Sequence, residues 1–209
     1  MVNIADSTIN DFLNRLNSTA PTPGGGSAAA LTSAVAAGLC GMTAKMTVGK
    51  KGYESVEENM KGCIKEIDKL IQELKQLIDE DTQAFEKVLD AYKLPKANKE
   101  SAALREKAVQ EALIGAAFVP LKIGEKSLKV IEIALLLSEE GNKNVITDGA
   151  AAVFLAYAAV EVSIINARIN NASIKDDEVK EQIENSTIRL ENKAKDLKDK
   201  LYPILERRI

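Results

Sequence analysis

The chain has no histidine, no tryptophan and only two cysteines in 209 residues. The missing histidine excludes Ser-His-Asp and Cys-His catalysis, His-ligated zinc and the His-Glu-x-x-His motif. Acid–base chemistry is left to carboxylates, Lys, Tyr or Cys. Cys40 and Cys63 match no metal-ligand spacing, and two thiols are weak grounds for a disulfide framework. Both are read as reduced thiols of a cytoplasmic protein, and no metal site is expected. Aromatic residues make up only 4%. Segments rich in Val, Thr or aromatics are few while alanine is abundant, which favours helices over strands. There is no basic excess either: 28 Lys and Arg stand against 31 Asp and Glu, for a net charge of −3. Nucleic acid is therefore not an expected partner. The first six residues carry neither a basic stretch nor an apolar one, so no signal peptide is expected.

What is present is ordinary for a soluble globular chain: 45% hydrophobic and 28% charged residues. The length suits one well-buried domain over residues 1–209. Hydrophobic periodicity predicts six helices, over residues 6–16, 27–46, 53–92, 99–137, 148–170 and 176–208. Pro120 falls inside the fourth and should kink or split it. The second and fifth are apolar nearly all round, which reads as two buried central helices of an all-α bundle. Small residues, Lys45 and Glu161 make them poor membrane spans. Two such helices exceed what a six-helix monomer easily covers, so a two-fold dimer is expected.

Four groups of residues could carry chemistry. Pro21-Thr22-Pro23-Gly24-Gly25-Gly26-Ser27 feeds a helix N-terminus, with Ser27 placed to cap it. Gly24, Gly25 and Gly26 let the backbone approach a ligand closely, and equally suit a tight crossing of two helices. Asp81 lies four residues after Leu77 and four before Phe85, on the buried stripe of the third helix. A carboxylate there loses hydration and its pKa rises, as a general acid or base requires; a buried Asp paired with Lys or Arg has the same spacing. Lys50 and Lys51 concentrate positive charge between Gly49 and Gly52, suited to an anionic ligand or to a solvated helix end. Asn142, Asp148, Glu161, Asn166 and Asn170 are the polar residues in or beside the fifth helix. They line a cleft or form a satisfied core network, with Thr147 or Asp148 as a cap and Glu161 in need of a partner such as Lys or Arg.

In order along the chain, these segments resemble the cyclodeaminase family of folate enzymes. The matching residues are Pro21 to Ser27, Gly49-Lys50-Lys51-Gly52-Tyr53, Asp79-Glu80-Asp81-Thr82-Gln83-Ala84-Phe85 and Leu94-Pro95-Lys96. Val119-Pro120-Leu121, Gly141-Asn142 with Asp148, and Ile165 to Asn170 complete the set. The family includes the C-terminal part of formiminotransferase-cyclodeaminases and free-standing methenyltetrahydrofolate cyclohydrolases. The resemblance implies an all-helical dimer with its folate site at or near the subunit interface, and a catalytic role for Asp81. It also implies that Gly24, Gly25 and Gly26 shape the pocket, that Lys50 and Lys51 attract the glutamate tail, and that Asn142 and Asp148 line the same cleft. The substrate is then a tetrahydrofolate derivative, and no tightly bound cofactor is needed. With no formiminotransferase portion in the chain, hydrolysis of 5,10-methenyltetrahydrofolate to 10-formyltetrahydrofolate is expected first. Cyclodeamination of formiminotetrahydrofolate is the alternative, and a non-catalytic helical dimer that holds a small anion is the reading from another class.

Overall fold

The computed structural model describes residues 4–209, and these form helices and turns without a strand. Seven α-helices follow one another: α1 Ile9–Leu16, α2 Gly25–Lys45, α3 Glu57–Lys93, α4 Lys99–Glu140, α5 Ile146–Asn171, α6 Asp177–Asp199 and α7 Leu201–Arg208. Short 3-10 turns, Ile4–Asp6, Glu54–Val56 and Lys143–Val145, lead into α1, α3 and α5.

Local chemistry sets several ends. Thr8 caps α1 by accepting from the Asp11 N–H, and Asp176 caps α6 by accepting from Glu178 and Val179. Asn98 and Ser101 form a reciprocal capping box at the start of α4. The helix expected over residues 176–208 breaks at Lys200, where α6 gives way to α7. Pro203 explains the break: it has no N–H for the Asp199 carbonyl, and its ring crowds that carbonyl.

Pro120, by contrast, neither splits nor ends α4, which runs unbroken for 42 residues. The proline is buried, and packing of α4 against α2, α3, α5 and α6 holds the helix together. Its missing N–H would leave the Ala116 carbonyl unpaired. The Asn170 Nδ2 on α5 donates to that carbonyl at 2.9 Å, so a side chain replaces the absent rung.

α2 and α3 run antiparallel. Ser27 near the start of α2 meets Ile78 and Asp81 on α3, while Lys45 at its end meets Asp68. α4 and α5 pack beside them, and the core holds Leu74, Ile78, Ile123, Ile131 and Val153. Cys40 and Cys63 are free and buried, and burial pushes the Cys40 thiol up to about 12. The two apolar helices are not covered on all sides as the sequence suggested. α2 exposes Val35 at 51%, and α5 exposes Ile165 at 65% and Ile169 at 67%. Both are long and apolar enough to cross a membrane by length and composition, and each is about half buried in the bundle.

Candidate active site

No side chain caps the start of α2. Gly24 is the N-cap residue, the helix begins at Gly25, and Ser27 sits inside the first turn rather than at the cap. Ser27 faces α3, where its hydroxyl donates to Asp81 Oδ2 at 2.8 Å. The three glycines then have different roles. A Cβ on Gly26 would fall inside the Asp81 carboxylate, with Cγ only 2.6 Å away. A Cβ on Gly25 would meet Asn166 Nδ2 at 3.5 Å, and one on Gly24 would meet nothing nearer than 4.0 Å. Close backbone approach is thus obligatory at Gly26 alone, and what it approaches is Asp81.

Asp81 forms one wall of a cleft of about 170 Å³. The segment Pro21 to Gly26 forms a second wall, Ala116 and Pro120 of α4 a third, and Asn166 and Asn170 of α5 a fourth. Among the described residues, no Lys or Arg nitrogen lies within salt-bridge distance of Asp81, and no other charged side chain lines the cleft. This sets aside the alternative of a buried ion pair. Burial raises the Asp81 carboxyl above the usual carboxylate range, and hydrogen bonds from the Ser27 hydroxyl and backbone pull part of the way back. The neighbouring acids are engaged elsewhere: Asp79 accepts from the Ile4 N–H at 2.7 Å, and Glu80 pairs with Lys122 at 3.3 Å.

Asn166 and Asn170 reconcile the two readings of the polar residues on α5, since they line the cleft and are also satisfied. Their amides donate to the Val162 and Ala116 carbonyls. Glu161 is half-buried beside the Tyr157 hydroxyl and has no Lys or Arg partner among the described residues.

The other expected site residues lie elsewhere. Lys50, Lys51, Asn142 and Asp148 gather at the far end of α2, about 30 Å from Asp81 at 1.5 Å per helical residue. They do not line the Asp81 cleft. Asn142 is buried as a structural pin. Its N–H donates to Thr47 Oγ1, its Nδ2 to the Met46 carbonyl, and its Oδ1 accepts from the Asn144 N–H. Asp148 is half-buried in the first turn of α5 and does not cap it, because that helix starts out of the 3-10 turn. The Lys50–Lys51 loop is shaped by Gly49 and Gly52, at φ +70° and +89°. The Tyr53 hydroxyl accepts from the Lys143 N–H and ties the loop to the start of α5.

That Ser27 bonds Asp81 was not legible in the sequence, because the contact depends on the antiparallel register of α2 against α3. Asn166 and Asn170 did carry a signal, their i, i+4 spacing on one face. The resulting site is a desolvated carboxylate in the wall of a cleft with no counter-charge among the described residues, able both to take a proton and to return it.

Known proteins agree with this architecture. The profile described as Formiminotransferase-cyclodeaminase matches residues 8–188. The chain is 40% identical over 171 residues to a methenyltetrahydrofolate cyclohydrolase of Methylorubrum extorquens, which covers 82% of each chain. It is 30% identical over 192 residues to the formimidoyltransferase-cyclodeaminase of Mus musculus, matching 92% of this chain but only 36% of that longer protein. The crystal structure of a formiminotetrahydrofolate cyclodeaminase from Thermotoga maritima superposes with a TM-score of 0.89, at 28% identity and over 97% of this chain and 98% of that one. By profile, sequence and structure, the chain belongs to the formiminotransferase-cyclodeaminase family.

Proposed function

We propose that the protein hydrolyses 5,10-methenyltetrahydrofolate to 10-formyltetrahydrofolate, with Asp81 as general base and then general acid. The observation that carries this reading is the lone, desolvated Asp81 in an otherwise uncharged cleft. The likeness to a named cyclohydrolase over most of both chains supports it. The methenyl carbon of the substrate is an amidinium and electrophilic. Asp81 takes a proton from the attacking water, and the oxygen bonds to that carbon to give a neutral carbinolamine. Asp81 then returns the proton to N5 as the carbon–N5 bond breaks. The carbinol O–H releases its proton as the formyl C=O forms, so the sum is substrate cation plus water giving product plus one proton. Asp81 serves the first two proton transfers, the last proton passes to solvent, and no step needs a metal or a resident cofactor.

The second reading, cyclodeamination of formiminotetrahydrofolate, rests on the close structural likeness to a protein of that name. There N10 attacks the formimino carbon and ammonia leaves, and the same carboxylate moves the protons.

The assembly is read as a homodimer. The exposed apolar residues on α2 and α5, with the shallow alanine-lined groove between them, support it. A two-fold axis across α2 would exchange its two ends, bringing Lys50 and Lys51 of the partner subunit toward the Asp81 cleft to meet the glutamate carboxylates. Gly24 and Gly25 would shape the pocket, and Asn142 and Asp148 would support its rim from the partner subunit. The dimer is read as cytoplasmic; its free, buried thiols fit a reducing compartment.

The test is turnover of 5,10-methenyltetrahydrofolate by purified protein, with spontaneous hydrolysis subtracted, beside Asp81→Asn. Formiminotetrahydrofolate is run in parallel with ammonia detection. Fast loss that collapses in the variant is expected. Ammonia release without added hydrolysis would move the assignment to the deaminase, and silence on both substrates would overturn the enzyme reading.

A further inference from the structure

Ser27 has one hydroxyl proton and more than one claimant for it. Its Oγ stands 2.8 Å from Asp81 Oδ2, 3.2 Å from the Ile78 carbonyl oxygen and 3.4 Å from Thr82 Oγ1. The side chain is fully buried, so no water competes. A hydroxyl donates once and accepts twice, and therefore cannot serve Asp81 and Ile78 together. The Ile78 carbonyl already receives the N–H of Thr82 four residues on, within α3, and has a second lone pair to spare.

We propose that Ser27 is a positioning residue whose hydroxyl turns with the protonation state of Asp81. While the carboxylate is ionised, Ser27 donates to Oδ2. When Asp81 holds a proton on Oδ2, the carboxyl O–H donates to Ser27 Oγ, and the serine proton swings to the Ile78 carbonyl. No heavy atom has to move, and neither state leaves a buried donor unpaired. The inference rests on the reading of Asp81 as acid and base: a group that gains and loses a proton in each turnover needs a neighbour that satisfies both forms.

Among the described residues, no other side chain hydrogen-bonds Asp81 and no second titratable group lines the cleft beside it. α2 offers glycines and the Ser27 backbone, which also hydrogen-bonds the carboxylate; α4 offers Ala116 and Pro120, and α5 offers the Asn166 and Asn170 amides, each of which donates to a backbone carbonyl. On α3, Asp79 is bound to the Ile4 N–H and Glu80 to Lys122.

The experiment is carbonyl NMR of folate-free protein labelled with carbon-13 at the Ile78 carbonyl and the Asp81 carboxyl, followed across pH. In the wild type the Ile78 carbonyl is expected to shift with the same midpoint as the Asp81 carboxyl, and in Ser27→Ala and Asp81→Asn it should stay flat. A wild-type Ile78 carbonyl that stays flat while Asp81 titrates overturns the switch, whatever the variants do. Kinetics supply the second readout. Ser27→Ala removes a donor to the ionised form, so the acid limb of kcat/KM should move to higher pH, with Ser27→Cys in between; an unmoved limb also counts against the switch. Full turnover by Asp81→Asn would overturn the acid–base reading and leave the carbonyl test standing on its own.

Discussion

Gly26 and Asp81 compete for the same space: a methyl group on one would occupy the carboxylate of the other. Gly26→Ala must therefore displace the carboxylate or the start of α2. We expect a loss of about 1–3 kcal/mol from overpacking. Displacing the reacting group should lower kcat/KM on the order of 100-fold. Urea denaturation and steady-state turnover measure the two effects, and Gly62→Ala, at an exposed position of α3 that meets no close contact and does not line the cleft, is the control.

Asp81 should make the folded state less stable as pH rises, the reverse of a salt-bridged aspartate. Its folded-state pKa is raised by burial above the unfolded value of about 3.9. Below the unfolded value both states hold the proton and nothing is lost. As pH climbs from there to the folded pKa, the unfolded chain ionises first, the native state binds more protons, and stability falls; the deficit then persists. Asp81→Asn is expected to be at least as stable as the wild type at pH 7, with the gap closing toward pH 4. The same variant should lose turnover by roughly 100- to 10,000-fold. Paired thermal melts across pH test the first statement.

The pairing of Asn170 with the carbonyl that Pro120 leaves open predicts an energetic coupling. Asn170→Ala orphans a buried carbonyl and should cost about 1–3 kcal/mol. Pro120→Ala restores the helical N–H, so its presence should soften the Asn170→Ala loss by roughly 1 kcal/mol. A double-mutant cycle by urea denaturation reads this directly, and strict additivity would mean that the amide does not replace the missing rung.

If the cleft draws Lys50 and Lys51 from a second subunit, the double variant Lys50→Ala with Lys51→Ala should raise KM for a glutamate-bearing folate roughly three- to tenfold and leave kcat nearly unchanged. Added salt should shrink the difference. Mixing this variant with Asp81→Asn should then recover a fraction of sites with wild-type KM, since a mixed dimer assembles one intact cleft. Absence of recovery after subunit exchange argues for clefts built within one chain.

Much of this was legible in the sequence because it is local or periodic. The helix order follows from apolar spacing and from turn residues, and the stripe from Leu77 to Phe85 was enough to put Asp81 on the inner face. What could not be read depends on register between distant helices. Nothing near Ser27 reveals that its hydroxyl ends on α3, and the spacing of Asn170 does not reveal that it compensates Pro120 some 50 positions earlier. Lys50 follows α2 closely in sequence but lies a whole helix length from the cleft, because α2 runs unbroken for 21 residues. The two apolar helices misled in a different way. Composition reports that a face avoids water, not whether its own chain covers it.

The cleft withholds a counter-charge from Asp81, and the proposed substrate carries one. The amidinium cation, on entering, supplies the attraction that the protein omits, and it favours ionisation of the carboxylate at the moment a base is required. Hydrolysis then discharges that cation to a neutral formyl amide, and the attraction ends with the chemistry. A site of this kind recruits its own base through the ligand and loosens its hold on what it has made, so product release is assisted by the same electrostatics that drew the substrate in.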